Sequence, residues 1–181
     1  ELADELVLGP VRARLHNELH AVELPARAAV TEAMESERYA DMLTQLQAWR
    51  QRAPYHSWIE APAVRRLATK AQRKARRRLT AALAADDAEL LHRARKAAKR
   101  ARYAAELMEP IEPKTAKRER KHFKHIQSVL GDHQDTVVAM EWLRRLGTSA
   151  GTTAGENGFT FGLLYGREQA LSAECRAAVQ E

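Results

Sequence analysis

Apolar residues recur at intervals of three and four along most of the chain, the spacing that places side chains on one face of an α-helix. The first clear run lies between Pro25 and Arg52. Pro54 follows it, and proline is typical of positions just beyond a helix end. The pattern predicts one long amphipathic helix over residues 25–52. Its apolar positions are Ala29, Val30, Ala33, Met34, Met42, Leu43, Leu46 and Trp49.

The same spacing returns after each of two short breaks. A proline-containing connection, APYHSWIEAP, leads to a second predicted helix at about residues 63–83. The stretch ADD at residues 85–87 then supplies a helix stop and a new N-cap. The third helix continues to about Leu107, and Pro110 and Pro113 end it.

A fourth helix is predicted at about residues 115–130, and a glycine and an aspartate follow it. We expect Gly131 to be a left-handed C-cap and Asp132 to cap a fifth helix that reaches about Leu146. Residues 147–158, GTSAGTTAGENG, contain no large apolar side chain and predict a flexible surface loop.

A last amphipathic helix is expected over residues 159–180. No stretch shows the sustained two-residue alternation of a half-buried strand. The sequence therefore predicts an all-α fold, an antiparallel helical bundle. We expect residues 1–181 to form a single domain.

Composition limits the classes of protein that fit. No apolar run approaches the roughly 20 residues of a membrane span, and no charged and then apolar leader opens the chain. Cys175 is the single cysteine, which excludes a disulfide framework. We expect a soluble cytoplasmic protein without a membrane partner.

The positive charge is concentrated in the middle of the chain. The net charge is +6, but residues 65–124 hold 20 of the 30 Lys and Arg residues and only 7 of the 24 acids. Such a local positive field is typical of a protein with a polyanionic partner. The alternative is a solvated basic surface without a ligand.

The stretch HRARKAAKRARYAAEL, His92 to Leu107, separates the two residue classes on opposite helix faces. One face carries small apolar residues: Ala94, Ala97, Ala98, Ala101, Ala104, Ala105 and Met108. The opposite face carries His92, Arg95, Lys96, Lys99, Arg102 and Tyr103.

The neighbouring helices also carry basic stripes. Like charges four residues apart repel, and a bound anion would relieve that repulsion. We expect the stripes to line a common groove. The preceding helix contributes Arg66, Lys70, Arg73, Lys74 and Arg77, widened by Arg65, Arg76 and Arg78. The following helix contributes Lys114, Lys117, Arg118, Arg120, Lys121, His122, Lys124 and His125, with Glu119 as its one acid.

The side chains among these stripes suit phosphates better than bases. Single-strand binders interleave aromatic residues for stacking, and here only Tyr103 and the histidines are candidates. Base-edge readers need amides and hydroxyls, and the second helix offers only Thr69 and Gln72. A linear phosphate polymer, or a nucleic acid held by its backbone, fits this composition.

Signs of catalysis are weak. Asp132, His133 and Asp135 lie close in sequence, but the two aspartates are interpreted as helix caps. No Gly-rich loop is followed by the Lys and Ser or Thr of a phosphate-binding loop. We expect a binding module without catalytic residues, metal or cofactor.

Three segments resemble the CHAD domain, the conserved histidine α-helical domain. They are LHRARKAAKRARYAAEL at residues 91–107, FKHIQSVLGDHQDTVVAMEWL at 123–143, and GFTFGLLYGREQAL at 158–171. His92 occupies the position of the histidine that gives the family its name.

The resemblance implies a fold of two pseudo-symmetric helical halves. The counterpart of the His92 helix is missing, so we expect the first half to be incomplete. VLGPVRARL at residues 7–15 faintly echoes VLGDHQDTV at residues 129–137. The family binds inorganic polyphosphate in a central basic pore or groove, and members are fused to CYTH-type triphosphatase domains or associated with polyphosphate granules.

The resemblance implies a non-catalytic polyphosphate-binding protein of the cytoplasm, with a possible place at polyphosphate granules. Two alternatives stay open: an accessory domain that presents polyphosphate or a triphosphate to a CYTH-type triphosphatase, and a backbone-gripping nucleic-acid binder. His92 has the alternative of bonding a neighbouring carbonyl, and Tyr103 that of packing. The predicted polyphosphate ligands are His92, Arg95, Lys96, Lys99, Arg100, Arg102, Tyr103, Arg66, Lys70, Arg73, Lys74, Arg77, Lys121, Lys124 and His125.

Overall fold

A computed structural model of the protein describes residues 6–54, 59–85 and 87–179. The regular elements in these residues are all α-helices, which confirms the predicted fold class. In chain order they are α1 (Val11–Glu35), α2 (Glu37–Gln51), α3 (Ala61–Ala85), α4 (Ala88–Leu107), α5 (Pro113–Ala150) and α6 (Phe159–Ala178).

The chain divides into two compact units, Glu1–Trp58 and Ile59–Glu181. In the first unit, α1 and α2 contact each other. In the second, α3 packs on α4, α4 on α5 and α5 on α6. Arg102 of α4 donates to Gln127 of α5, whereas Arg95 lies over Gly131. The numbering therefore runs in opposite directions along α4 and α5, as an antiparallel bundle requires.

The predicted helix over residues 25–52 is two helices, so this prediction is wrong in its extent. The first begins at Val11 and continues through Pro25. Ser36 separates them because its backbone is extended and its hydroxyl oxygen accepts a hydrogen bond from the Tyr39 amide at 3.3 Å. A serine in this position is a typical N-cap, and it starts α2.

Helices α3 and α4 follow the sequence prediction closely. The carboxylate of Asp87 accepts hydrogen bonds from the amides of Glu89 and Leu90 at 2.7 and 3.0 Å, so the predicted N-cap is confirmed. Small side chains fill the interface and let the helices approach closely. The buried residues of this core include Ala75, Ala82, Leu91, Ala94, Ala97, Ala98, Ala101, Phe123, Ile126 and Leu130.

The predicted break at Gly131 is wrong. Helix α5 runs for 38 residues without interruption, so neither Asp132 nor Asp135 caps a helix. Gly131 is instead a point of close approach, because a Cβ there would stand 3.4 Å from Nε of Arg95. The Arg95 side chain of α4 therefore passes over α5 at a residue that has no side chain, Gly131.

The predicted loop over residues 147–158 is shorter in the structure, because Gly147 to Ala150 form the last turn of α5. A Cβ on Gly158 would stand 2.8 Å from the carbonyl oxygen of Gly147, so the two glycines let the ends of α5 and α6 meet. Helix α6 begins at Phe159 as predicted, and Gln180 lies outside the described residues.

No helix in the part of the chain that the structure describes combines the length and the apolar composition that a bilayer crossing requires.

Candidate anion-binding site

Arg102 is held in place at the seam between α4 and α5. Its Nε donates to Oε1 of Gln127 at 3.1 Å, and its Nη1 donates to Oε1 of Glu106 at 2.6 Å. The guanidinium also lies over the ring of Tyr103, 4.3 Å from the ring centre. Three neighbours therefore fix the direction of one basic side chain.

An open cavity of about 320 Å³ lies beside Arg102. Its basic residues on α5 recur at three- and four-residue spacing, which places them on one side of that helix. Five cationic side chains and one carboxylate line it, so positive charge dominates. The lining residues are Arg102, Glu106, Lys117, Arg120, Lys121 and Lys124.

Two buried nitrogen atoms farther along the seam have no hydrogen-bond partner among the described residues. They are Nδ1 of His92 and Nε of Arg95, which lie one turn apart on α4. An unpaired buried polar group costs about 1–3 kcal/mol, so both atoms favour a partner from outside the protein chain. The predicted bond from His92 to a neighbouring carbonyl is not among the hydrogen bonds of the described residues.

The outer surface of α4 carries the other predicted residues of that helix. Lys96, Lys99 and Arg100 are all exposed. Nζ of Lys99 lies 5.9 Å from the centre of the Tyr103 ring, on the same helix surface. Tyr103 is 45% exposed, so it packs against cations and not into the core.

The basic stripe of α3 does not enter the cavity between α4 and α5. Its members are exposed, whereas Ala68, Ala75 and Ala82 are the buried positions of that helix. The structure thus separates one predicted set into two surfaces. The α3 residues outside the cavity are Arg66, Lys70, Arg73, Lys74 and Arg77.

The arginines of α3 that do reach α5 bind acids. Nε of Arg65 lies 2.7 Å from Oε1 of Glu112, and Nη2 of Arg76 lies 3.0 Å from Oε2 of Glu119. Both arginines were expected to widen the basic face, but their charge is matched by a carboxylate. They join α3 to α5.

The sequence placed Lys117 and Arg120 on the basic stripe of this helix but not among the predicted polyphosphate ligands, and both line the same cavity as the predicted Lys121 and Lys124. The missing signal was available, because Lys117, Lys121 and Lys124 follow one another at helical spacing. His125, which was included, is exposed but does not line the cavity. The helical spacing of the basic residues gave no indication that the carboxylate of Glu106 also lines the cavity.

Features that suggest catalysis do not assemble into a site. His133 is buried within α5, and Asp132 and Asp135 are exposed. No three His, Cys, Asp or Glu side chains among the described residues are grouped as metal ligands. Burial raises the pKa of the Cys175 thiol, and the charges of Asp132 and Glu174 raise it further, which disfavours the thiolate.

Comparison with known proteins gives one family and two relatives. The relatives are Uncharacterized protein MT2285 and Uncharacterized protein Rv2226, from Mycobacterium tuberculosis strains CDC 1551 / Oshkosh and ATCC 25618 / H37Rv. Each is 37% identical to this chain and aligned to 99% of it. The chain spans 35% of the length of these curated relatives. No solved structure matches.

Residues 1–144 match the CHAD domain family. The matched range includes α4 and the segment 123–143 of α5, which carry two of the three motifs. It ends before residues 158–171, so the assignment of that segment to the last helix of the family stays a prediction. Because the match covers most of the chain and includes the motif around His92, the protein belongs to the CHAD domain family.

Proposed function

We propose that this protein binds inorganic polyphosphate without catalysis, along the seam between α4 and α5. The observation that carries the proposal is the cavity lined by five Lys and Arg side chains and one carboxylate. Arg102 and Arg120 each have an acidic partner, Glu106 at 2.6 Å and Glu109 at 3.6 Å, whereas the three lysines of the lining have no ion pair among the described residues. Cations held this close together repel one another, and a phosphate oxygen offers each of them a charge-assisted hydrogen bond. Membership of the CHAD domain family supports the same ligand class.

A linear ligand fits this surface because the cationic groups continue beyond the cavity. His92, Arg95, Lys99 and Arg102 recur at three- and four-residue spacing along one side of α4. At 1.5 Å per residue, this row is about 15 Å long. A phosphate chain in the cavity would therefore meet further basic side chains along α4, including His92 and Arg95, whose buried Nδ1 and Nε have no partner among the described residues.

Nucleic acid is the less favoured polyanion. Single-strand binding gains affinity from bases stacked on free aromatic faces. Tyr103 is the aromatic residue of this surface, and the guanidinium of Arg102 already lies against its ring. The cation occupies one face of the ring and leaves less of it for a base, whereas phosphate binding leaves the contact intact.

A second candidate function is that of an accessory domain. The curated relatives are much longer than this chain, which spans 35% of their length. In that case the basic seam would hold polyphosphate or a triphosphate for a catalytic domain such as a CYTH-type triphosphatase. Binding in the cytoplasm or at polyphosphate granules belongs to the same proposal and rests on the family.

The proposal is tested by calorimetric titration of the protein with long-chain polyphosphate at two salt concentrations. Double-stranded DNA and single-stranded RNA, matched in phosphate concentration, serve as competing polyanions. We expect polyphosphate to bind most tightly and its affinity to fall as salt rises, because ionic contacts dominate. Phosphate release is measured in the same samples.

Equal affinity for all three polymers would overturn the preference and leave a general polyanion binder. Absence of polyphosphate binding would overturn the proposed function. Release of phosphate from polyphosphate by the purified protein would contradict the non-catalytic assignment.

A further inference from the structure

Glu106 is the one carboxylate among the described residues that line the cavity between α4 and α5. Its Oε1 lies 2.6 Å from Nη1 of Arg102. A carboxylate oxygen on a guanidinium makes the same type of charge-assisted contact as a phosphate oxygen. Glu106 therefore occupies on Arg102 a position that a phosphate ligand would take.

The N–H donors of Arg102 that remain, chiefly those of Nη2, lie beside the carboxylate of Glu106 on the same planar guanidinium. Its Nε is bound to Gln127, and its face lies against the ring of Tyr103. A phosphate group that enters the cavity must displace Glu106 from Arg102 or bind beside a negative charge. Either course lowers the affinity of the cavity for a phosphate that binds nowhere else.

The ion pair between Glu106 and Arg102 is less exposed to solvent than a second glutamate–arginine pair on α4. Glu89 and Arg93 have the same four-residue spacing and the same 2.6 Å separation, but their side chains are 72% and 56% exposed. Those of Glu106 and Arg102 are 35% and 22% exposed. The Glu106 charge is therefore screened less by solvent and acts more strongly on its surroundings.

We propose that Glu106 is a specificity-determining residue that selects long phosphate chains over short phosphates. This inference rests on the proposed function. A short phosphate depends on the cavity for all its contacts and bears the full effect of the carboxylate. A long chain also contacts cations along α4, such as Lys99, so it can bind with the position beside Glu106 unoccupied and avoid a penalty that a short phosphate in the cavity must bear.

The test compares Glu106→Gln with wild type in titrations with triphosphate and with long-chain polyphosphate. The amide of Gln still accepts a hydrogen bond from Arg102 but carries no charge. We expect the affinity for triphosphate to rise about 2- to 5-fold, the effect of one partly exposed charge. The affinity for the long chain is expected to rise less than about 2-fold, so the ratio between the two falls.

Glu89→Gln is the matched control, because it removes the same charge from the same kind of pair on the same helix. We expect it to change neither affinity by more than about 1.5-fold. Circular dichroism and thermal unfolding establish that both variants keep the helical fold.

Two results would overturn the role of Glu106 while leaving polyphosphate binding in place. Equal gains for both ligands would remove the selection by length. Loss of affinity in Glu106→Gln would mean that the acid only positions Arg102 for the ligand. If wild type binds neither phosphate, the proposed function itself fails, and that failure is visible before any variant is made.

Discussion

Helix α5 faces basic side chains of α3 on one side and of α4 on the other. The two sides differ in how many of those basic side chains are paired with a carboxylate. Toward α3, Arg65 and Arg76 each bind one glutamate, Glu112 and Glu119. The cavity there is about 150 Å³ and has both glutamates in its lining. Toward α4, the cavity of about 320 Å³ has five cations and one carboxylate in its lining.

This difference between the two sides of α5 shows that the number of basic residues alone does not locate a binding surface. An arginine whose charge is matched by a carboxylate joins two helices and has little attraction left for a ligand. A group of cations that outnumber their acids keeps a positive field, at a cost that an anionic ligand relieves. The α3 side, where Arg65 and Arg76 are each paired with a glutamate, is the matched seam. The α4 side, where Lys117, Lys121 and Lys124 have no ion pair among the described residues, is the unmatched seam and the candidate site.

The largest expected effect comes from charge reversal on the unmatched seam. Lys117→Glu combined with Lys121→Glu places two acids among the remaining cations of the cavity. We expect the affinity for long-chain polyphosphate to fall about 1,000-fold, since each of the two lysines contributes about 1 kcal/mol near a polyanion and charge reversal roughly doubles the loss to about 4 kcal/mol. Calorimetric titration at low salt measures the change.

Lys70→Glu combined with Lys74→Glu on α3 is the matched control. It has the same four-residue spacing and the same change in net charge, but both side chains lie outside the cavity lining. We expect it to weaken binding less than about 10-fold through the general field of the protein. Equal losses in the two double variants would break the comparison and extend the binding surface over α3.

The matched seam is tested through stability. Glu119 is 9% exposed and binds Arg76, whose side chain is 58% exposed, so Glu119→Gln removes a mostly buried carboxylate charge from a pair with one exposed partner. We expect the free energy of unfolding to fall by about 1 kcal/mol, because hydrogen bonds to charged groups are the stronger ones. Urea denaturation measures this, and polyphosphate affinity should change less than about 2-fold.

Glu112→Gln provides the exposed counterpart, since the side chains of Glu112 and Arg65 are 37% and 51% exposed. Exposed pairs contribute little, so we expect a change within about 0.5 kcal/mol. A larger loss of stability in Glu112→Gln than in Glu119→Gln would contradict the assignment of the buried pair as the stronger link.

The all-α class, the extent of α3 and the Asp87 cap could be predicted from the sequence, because each depends on residues within a few positions. The breaks could not. Ser36 divides a continuous apolar pattern, and Gly131 has the residue type of a C-cap but serves the passage of Arg95. Their roles depend on a local backbone angle in one case and on a second helix in the other.

In the candidate site, too, the features that belong to one helix could be predicted and those that depend on helix packing could not. The segregation of basic and apolar residues on α4 is a property of one helix, and the buried alanines confirm it. Which basic stripe faces which neighbour depends on how three helices pack. The pairing of Arg65 and Arg76 with glutamates, and the separation of the α3 stripe from the cavity, required the structure.

The smallest expected effect concerns Gly131, where the Arg95 side chain of α4 lies against α5. A Cβ at this position stands 3.4 Å from Nε of Arg95, which is ordinary contact with a flexible side chain. Gly131→Ala should therefore gain the helix propensity of alanine, and we expect the free energy of unfolding to rise by up to about 1 kcal/mol. Polyphosphate affinity should stay within about 2-fold, because Arg95 keeps room to move. A loss of stability in urea denaturation would show that α4 presses more tightly on α5 than this distance indicates, and that the glycine is required for the seam to form.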